Sequence, residues 1–143
     1  MILLDTCVIS EAILPKPSES VLAWIESLPE HRVYIPAMVL AELQKGVCSL
    51  PRSRKRDGLS LWVEHLSDRF EGRILAFDGS TGFHWARITC QLEAKGIVLP
   101  LMDSLLAALA IQHSATLATR NLGDFEPTGI SLVNPWEYES QHL

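Results

Sequence analysis

Between Leu105 and Ile111 the chain runs Leu-Leu-Ala-Ala-Leu-Ala-Ile without a polar residue. These are good helix formers, and a helix that is apolar on every side has to be covered on every side. The run is far shorter than the ~18 residues that span a bilayer, so other parts of the protein must cover it. Met1-Ile2-Leu3-Leu4 adds a matching constraint at the other end of the chain. It lacks the alternation of a half-exposed strand and reads as a strand buried on both faces, as in a parallel sheet under helices.

The remaining elements fit that plan. A short helix is expected from Thr6 toward Leu14, stopped by Pro15 and Pro17. Ser18 is a suitable N-cap for a helix with Val21, Leu22, Ile25 and Leu28 on its apolar face, ended by Pro29. Val33-Tyr34-Ile35 reads as a strand, and Pro36 introduces a helix from Ala37 to about Ser49. A longer amphipathic helix follows Pro51 with Leu59, Trp62, Val63 and Leu66 inward. Ile74 to Phe77 reads as a strand, then Asp78 caps a helix over Gly79 to Ala94 carrying Phe83, Ile88 and Leu92. Pro100 precedes the apolar helix, expected over Asp103 to His113, and strands follow at Thr116 to Thr119 and Ser131 to Val133. Strands alternating with helices predict an α/β fold with a mostly parallel sheet.

A chain of 143 residues, 48% of them hydrophobic, can bury one core without disulfides, so a single domain over 1–143 is expected. Cys7, Cys48 and Cys90 are odd in number and show no CxxC spacing, which argues against a disulfide framework or a zinc knuckle and for a reducing cytoplasm. No basic leader and no membrane span are legible, so a soluble cytoplasmic protein is expected. The net charge of -5 argues against a general nucleic-acid coat. It does not exclude a phosphodiester substrate, because acids that bind divalent ions become attractive to phosphate. Arg52-Ser53-Arg54-Lys55-Arg56 is the one basic run, readable as a phosphate contact or as a solvated helix start.

Four acids stand at element boundaries: Asp5 after the first strand, Glu42 on the flank of the helix from Ala37, Asp103 at the start of the buried helix, and Asp124 after the strand ending at Thr119. Each alone also fits a structural role as a cap, a solvated side chain or a loop acid. Together they can meet at the carboxyl edge of a parallel sheet, where ligands bind. Gathered anions need a cation, and oxygen-only ligands favour Mg²⁺ or Mn²⁺ over zinc.

Leu3-Leu4-Asp5-Thr6, Ala41-Glu42-Leu43, Met102-Asp103-Ser104-Leu105-Leu106-Ala107-Ala108 and Ala118-Thr119-Arg120-Asn121 with Asp124-Phe125 resemble the signature segments of PIN-domain ribonucleases. The likeness extends to Asn134-Pro135-Trp136 and is greatest to the VapC and FitB type of toxin–antitoxin nucleases. It implies a PIN-like three-layer sandwich, a central mostly parallel sheet flanked by helices. It implies that Asp5, Glu42 and Asp103 hold a Mg²⁺ or Mn²⁺, with Asp124 binding a second ion or orienting the attacking water. Thr6 and Asn121 would position water or phosphate, and Arg120 would pair with a phosphate oxygen or form a surface salt bridge.

The resemblance further implies an endoribonuclease cutting single-stranded RNA to a 5′-phosphate and a 3′-hydroxyl. It would be a homodimer neutralised by a small protein antitoxin, often DNA-binding. Apolar Leu22, Trp24 and Ile25 on the early helices exceed what one small core obviously needs and are expected to serve that assembly. One position departs from the family, which commonly carries Asn where this chain has Cys7. The loss of an amide beside the metal leaves a rival reading open, a PIN-like scaffold that binds RNA or protein with weak or no cleavage.

Overall fold

The structure, a computed structural model, describes residues 1–140; the last residues of the expected domain, His142 among them, lie outside the described residues. The chain opens with β1 (Ile2–Leu4), α1 (Thr6–Glu11) and α2 (Glu19–Ser27). β2 (Val33–Pro36) leads directly into α3 (Ala37–Cys48), then α4 (Arg54–Arg69) and β3 (Ile74–Leu75). α5 (Gly79–Glu93) and α6 (Leu101–Gln112) precede β4 (Thr116–Ala118), α7 (Leu122–Phe125) and β5 (Ser131–Val133).

The strands form one parallel sheet in the order β3-β2-β1-β4-β5. The chain therefore steps outward from β1 to β3, crosses back through α5 and α6, and continues on the other side of β1. Right-handed crossovers running in opposite directions place their helices on opposite faces. Three layers result, with the sheet in the middle, in agreement with the α/β sandwich expected from the sequence.

Burial follows the sequence pattern. Leu3 is 0% exposed and Leu4 4%, as a strand covered on both faces requires, and α6 buries Leu106, Ala107, Ala108, Leu109 and Ala110. Ser18 caps α2 by accepting from the Val21 N–H, and Asp78 and Thr81 form a reciprocal capping box on α5. Among the described residues, no helix is long and apolar enough to cross a membrane.

Several expectations are corrected. α1 ends at Glu11 instead of continuing to Leu14, because the Pro15 ring would meet the Glu11 carbonyl and keeps Leu14 out of helical geometry. β3 stops at Leu75, leaving Phe77 exposed, and of the apolar residues carried by α5 Ile88 and Leu92 are buried while Phe83 is 80% exposed. α6 starts two residues earlier than expected, at Leu101, with Pro100 as N-cap, so Asp103 lies within the first turn and does not cap it. Trp24 is only 6% exposed and belongs to the core with Val21, while Leu22 and Ile25 are half-buried. The apolar surplus assigned to the early helices is largely absorbed by packing.

Candidate active site

The strand order reverses between β1 and β4, and at that point the connections leaving the carboxyl ends diverge and open a crevice. Asp5 sits at its mouth. Its backbone N–H donates to the Ala118 carbonyl at 3.0 Å, which ties the end of β1 to the end of β4. Its side chain has two fixed donors: the Thr6 N–H to Oδ1 at 2.7 Å and the Thr119 hydroxyl to Oδ2 at 2.8 Å. The first is the N-cap of α1, so Asp5 caps a helix while its carboxylate remains at the mouth of the crevice.

Glu42 lies half-buried on the flank of α3, as its helical phase requires. The Thr6 hydroxyl donates to its Oε2 at 2.8 Å, so Thr6 joins Asp5 to Glu42 through its backbone and its side chain. Asp103 approaches from the first turn of α6. Its carboxyl is pushed above the usual range by burial, and then by the charges of Asp5, Asp124 and Glu42. One group thus feels all the other acids of the set. Asp124 lies exposed in α7 rather than in a loop, its N–H donating to the Asn121 carbonyl at 3.2 Å.

The acids face a shared space without closing on it. Among the described residues, no three His, Cys, Asp or Glu side chains stand close enough to hold a metal ion. Like charges opposed across a crevice repel, and Asp103 registers that repulsion.

Two further residues complete the crevice. Thr119, 0% exposed, donates to Asp5 and accepts from the Asn121 N–H at 3.1 Å. The sequence displays it in Ala118-Thr119-Arg120-Asn121 but gives no reason to single it out, because a strand-end Thr is ordinary β chemistry. Cys7 contacts Asp5 Oδ2 at 3.8 Å and the Thr119 hydroxyl at 3.9 Å. Burial pushes its thiol up, and the Asp5 charge adds to this against the opposing hydrogen bonds of the Arg120 backbone and the Thr119 hydroxyl. Cys7 is therefore a neutral thiol here. Among the described residues Arg120 makes no salt bridge; its guanidinium stands over the Trp136 ring, 5.0 Å from the centroid. The Asn121 side chain makes no capping bond and is exposed beside the crevice.

The donor set fits a hard divalent ion. It offers carboxylate oxygens only, two of them held in place by hydroxyl donors. The Asp103 carboxyl is raised first by burial and then by the charges of Asp5, Asp124 and Glu42, and a cation among them would relieve that repulsion.

Known proteins share both sequence and shape with this chain. Toxin FitB of Neisseria gonorrhoeae is 41% identical over 137 residues, covering 95% of this chain and 99% of that protein. The VapC ribonuclease Y4jK of Sinorhizobium fredii is 35% identical over 138 residues, covering 96% and 99%. The solved structure of FitAB bound to an IR36 DNA fragment aligns with TM-score 0.91 and 40% identity, covering 99% of this chain and 100% of that one. Residues 2–127 match the model of the PIN domain, and the chain belongs to that family.

Proposed function

We propose that this chain is a metal-dependent endoribonuclease of the toxin–antitoxin kind, a single PIN domain that cuts single-stranded RNA and is held in check by a cognate antitoxin. The observation that carries this reading is the gathering of acids at the switch point: Thr6 and Thr119 hold Asp5 and Glu42 side by side, and Asp103, raised first by burial, also feels the charges of Asp5, Asp124 and Glu42. Structural caps would have no reason to be aimed at one another. The toxin FitB and ribonuclease VapC relatives supply the class of reaction.

Asp5, Glu42 and Asp103 would hold Mg²⁺ or Mn²⁺, with Asp124 at the open side for a second ion or for the attacking water. The ion supplies activation of water near neutral pH and stabilisation of charge on the departing oxygen. The protein's own residues supply geometry. Thr119 and the Thr6 N–H fix both oxygens of Asp5, and the Thr6 hydroxyl fixes Glu42. The exposed Asn121 amide is free to take a phosphate oxygen or a water. Arg120, stacked on Trp136, presents a guanidinium at the rim that can pair with phosphate. Retention of every acid favours cleavage over an inert scaffold.

FitAB bound to DNA supports a protein partner that itself binds DNA. We place the protein in the cytoplasm as a homodimer; Cys48 and Cys90 are exposed free thiols, which suits a reducing compartment. The test is expression with and without the neighbouring gene. Growth arrest with RNA breakdown, relieved by the neighbour's product and abolished by Asp5→Asn, is the expected result. A chain that is harmless and leaves cellular RNA intact would favour the scaffold.

A further inference from the structure

Five of the twelve Lys and Arg residues fall within residues 45–56, as Lys45, Arg52, Arg54, Lys55 and Arg56, with no acid among them. In a chain of net charge -5 this is a pronounced local reversal. None of the five is neutralised: among the described residues, the ion pairs join Arg69 and Arg73 to Glu30. Nor does the fold require them. Arg54, Lys55 and Arg56 occupy the first turn of α4, the end of a helix where positive charge is unfavourable.

The topology directs these charges toward the acidic crevice. Arg73 donates to the carbonyls of Glu30 and Val33 at 2.6 and 2.7 Å, which anchors the end of α4 at the amino edge of β2. α4 has 16 residues and is about 24 Å long, so its basic end projects toward the opposite edge, where Asp5 and Thr119 lie. α3 leaves that same edge after Pro36 and packs against α4. It carries Glu42, then Lys45 one turn further, then the turn into Arg52. Gly46, also one turn from Glu42, has nothing within 4 Å of where a Cβ would stand, so the surface between the acid and the basic turn is open.

We infer that the α3–α4 hairpin is the track for the RNA backbone leading away from the scissile phosphate, with Arg52, Arg54, Lys55 and Arg56 as phosphate contacts. This rests on the ribonuclease reading above. A crevice of carboxylates repels a polyanion on either side of the bound ion, and the hairpin supplies the compensating charge beside it. Single strands held this way lose affinity with salt in proportion to the phosphates neutralised, about 0.7 in the log–log slope for each.

The test replaces Arg52, Arg54, Lys55 and Arg56 together by Ser in the full chain. Binding of a labelled single-stranded RNA of about 12 nucleotides is titrated against salt in the Asp5→Asn background, and Mn²⁺-dependent cleavage is measured with Asp5 intact. The expected result is a slope lower by about 2 to 3, an affinity at least tenfold weaker near 0.1 M salt, and a raised KM with kcat retained. The metal-free melting temperature should be unchanged or higher, which excludes misfolding. Wild-type-like slope and KM in the variant would overturn the track. Retained RNA binding with loss of the antitoxin from co-purification would also overturn it, making the hairpin a protein contact. Failure of the wild type itself to bind or cut RNA is a separate result, which removes the ribonuclease reading.

Discussion

The Thr119 hydroxyl donates to Asp5 Oδ2 at 2.8 Å, joining the ends of two adjacent strands that are 114 residues apart in sequence. Without it the Asp5 carboxylate would be held through Oδ1 by the Thr6 N–H, with Oδ2 no longer fixed by the Thr119 hydroxyl. A hydrogen bond to a charged group contributes about 1.5 to 3 kcal/mol. Thr119→Val keeps the shape, removes the donor and strips the Asn121 N–H of its acceptor. Its kcat on RNA should fall about tenfold or more, while Thr119→Ser restores it. Equal rates for all three proteins would assign Thr119 to packing alone.

Asp103 makes a pH prediction. Its folded-state carboxyl is raised by burial and by Asp5, Asp124 and Glu42. The folded protein therefore holds that proton more tightly than the unfolded chain, and stability falls as pH rises from the ordinary carboxylate value to the raised one. Above that window the charge on Asp103 is a standing cost. In metal-free buffer at neutral pH, Asp103→Asn should melt at or above the wild-type temperature, with the difference vanishing in acid, and should gain less from Mn²⁺. A variant that melts well below the wild type at neutral pH would show Asp103 to be a structural support.

Cys7 stands where an amide is usual in the family, within 3.8 Å of Asp5. Cys7→Asn should raise the cleavage rate at fixed Mn²⁺ by about tenfold, the worth of one charge-assisted hydrogen bond. An unchanged rate would mean that the site is built around the thiol. Because burial and the Asp5 charge keep that thiol protonated, iodoacetamide at pH 7 should label the exposed Cys48 and Cys90 first. Mass spectrometry of the labelled sites gives the order directly.

Gly46 lies inside α3, where glycine weakens a helix, and a Cβ there would meet nothing within 4 Å. Gly46→Ala should stabilise the protein by about 0.5 to 1 kcal/mol in thermal or urea unfolding. A loss of stability would reveal a close approach to Gly46.

Much of this was legible from residue pattern. Unbroken apolarity in Leu3-Leu4 and in Leu105 to Ile111 dictated a covered sheet and a covered helix; Leu3, Leu4 and Leu106 to Ala110 are buried, while Leu105 and Ile111 at the ends of the run are half-buried. Asp5, Glu42 and Asp103 were readable as candidates because each sits at the start or flank of an element whose phase is set by its apolar neighbours. Thr119 was not, since its importance depends on β4 lying beside β1, a pairing no local pattern encodes. Phe83, grouped with Ile88 and Leu92 on α5, is a different case, because its position was available from helical phase. At 100° per residue Phe83 stands about 160° round α5 from the buried Thr81, Ile88 and Leu92, so it belongs to the opposite, exposed face. Arg120 was weighed as a phosphate or carboxylate partner, whereas the return of the chain to Trp136 offers it an aromatic face.

The central claim is that Asp5, Glu42, Asp103 and Asp124 form one metal-dependent ribonuclease site. Its most direct measurement is cleavage of an unstructured single-stranded RNA by the purified chain, freed of any partner, in Mn²⁺, Mg²⁺, Ca²⁺ or chelator, beside the Asp5→Asn protein. Cleavage is expected with Mn²⁺ and Mg²⁺, leaving a 5′-phosphate and a 3′-hydroxyl. Little is expected with Ca²⁺, whose looser coordination positions the attacking water poorly, and none with chelator or with Asp5→Asn. Cleavage that survives chelation and the Asp5→Asn change, or no cleavage under any metal by a correctly folded wild type, would contradict it.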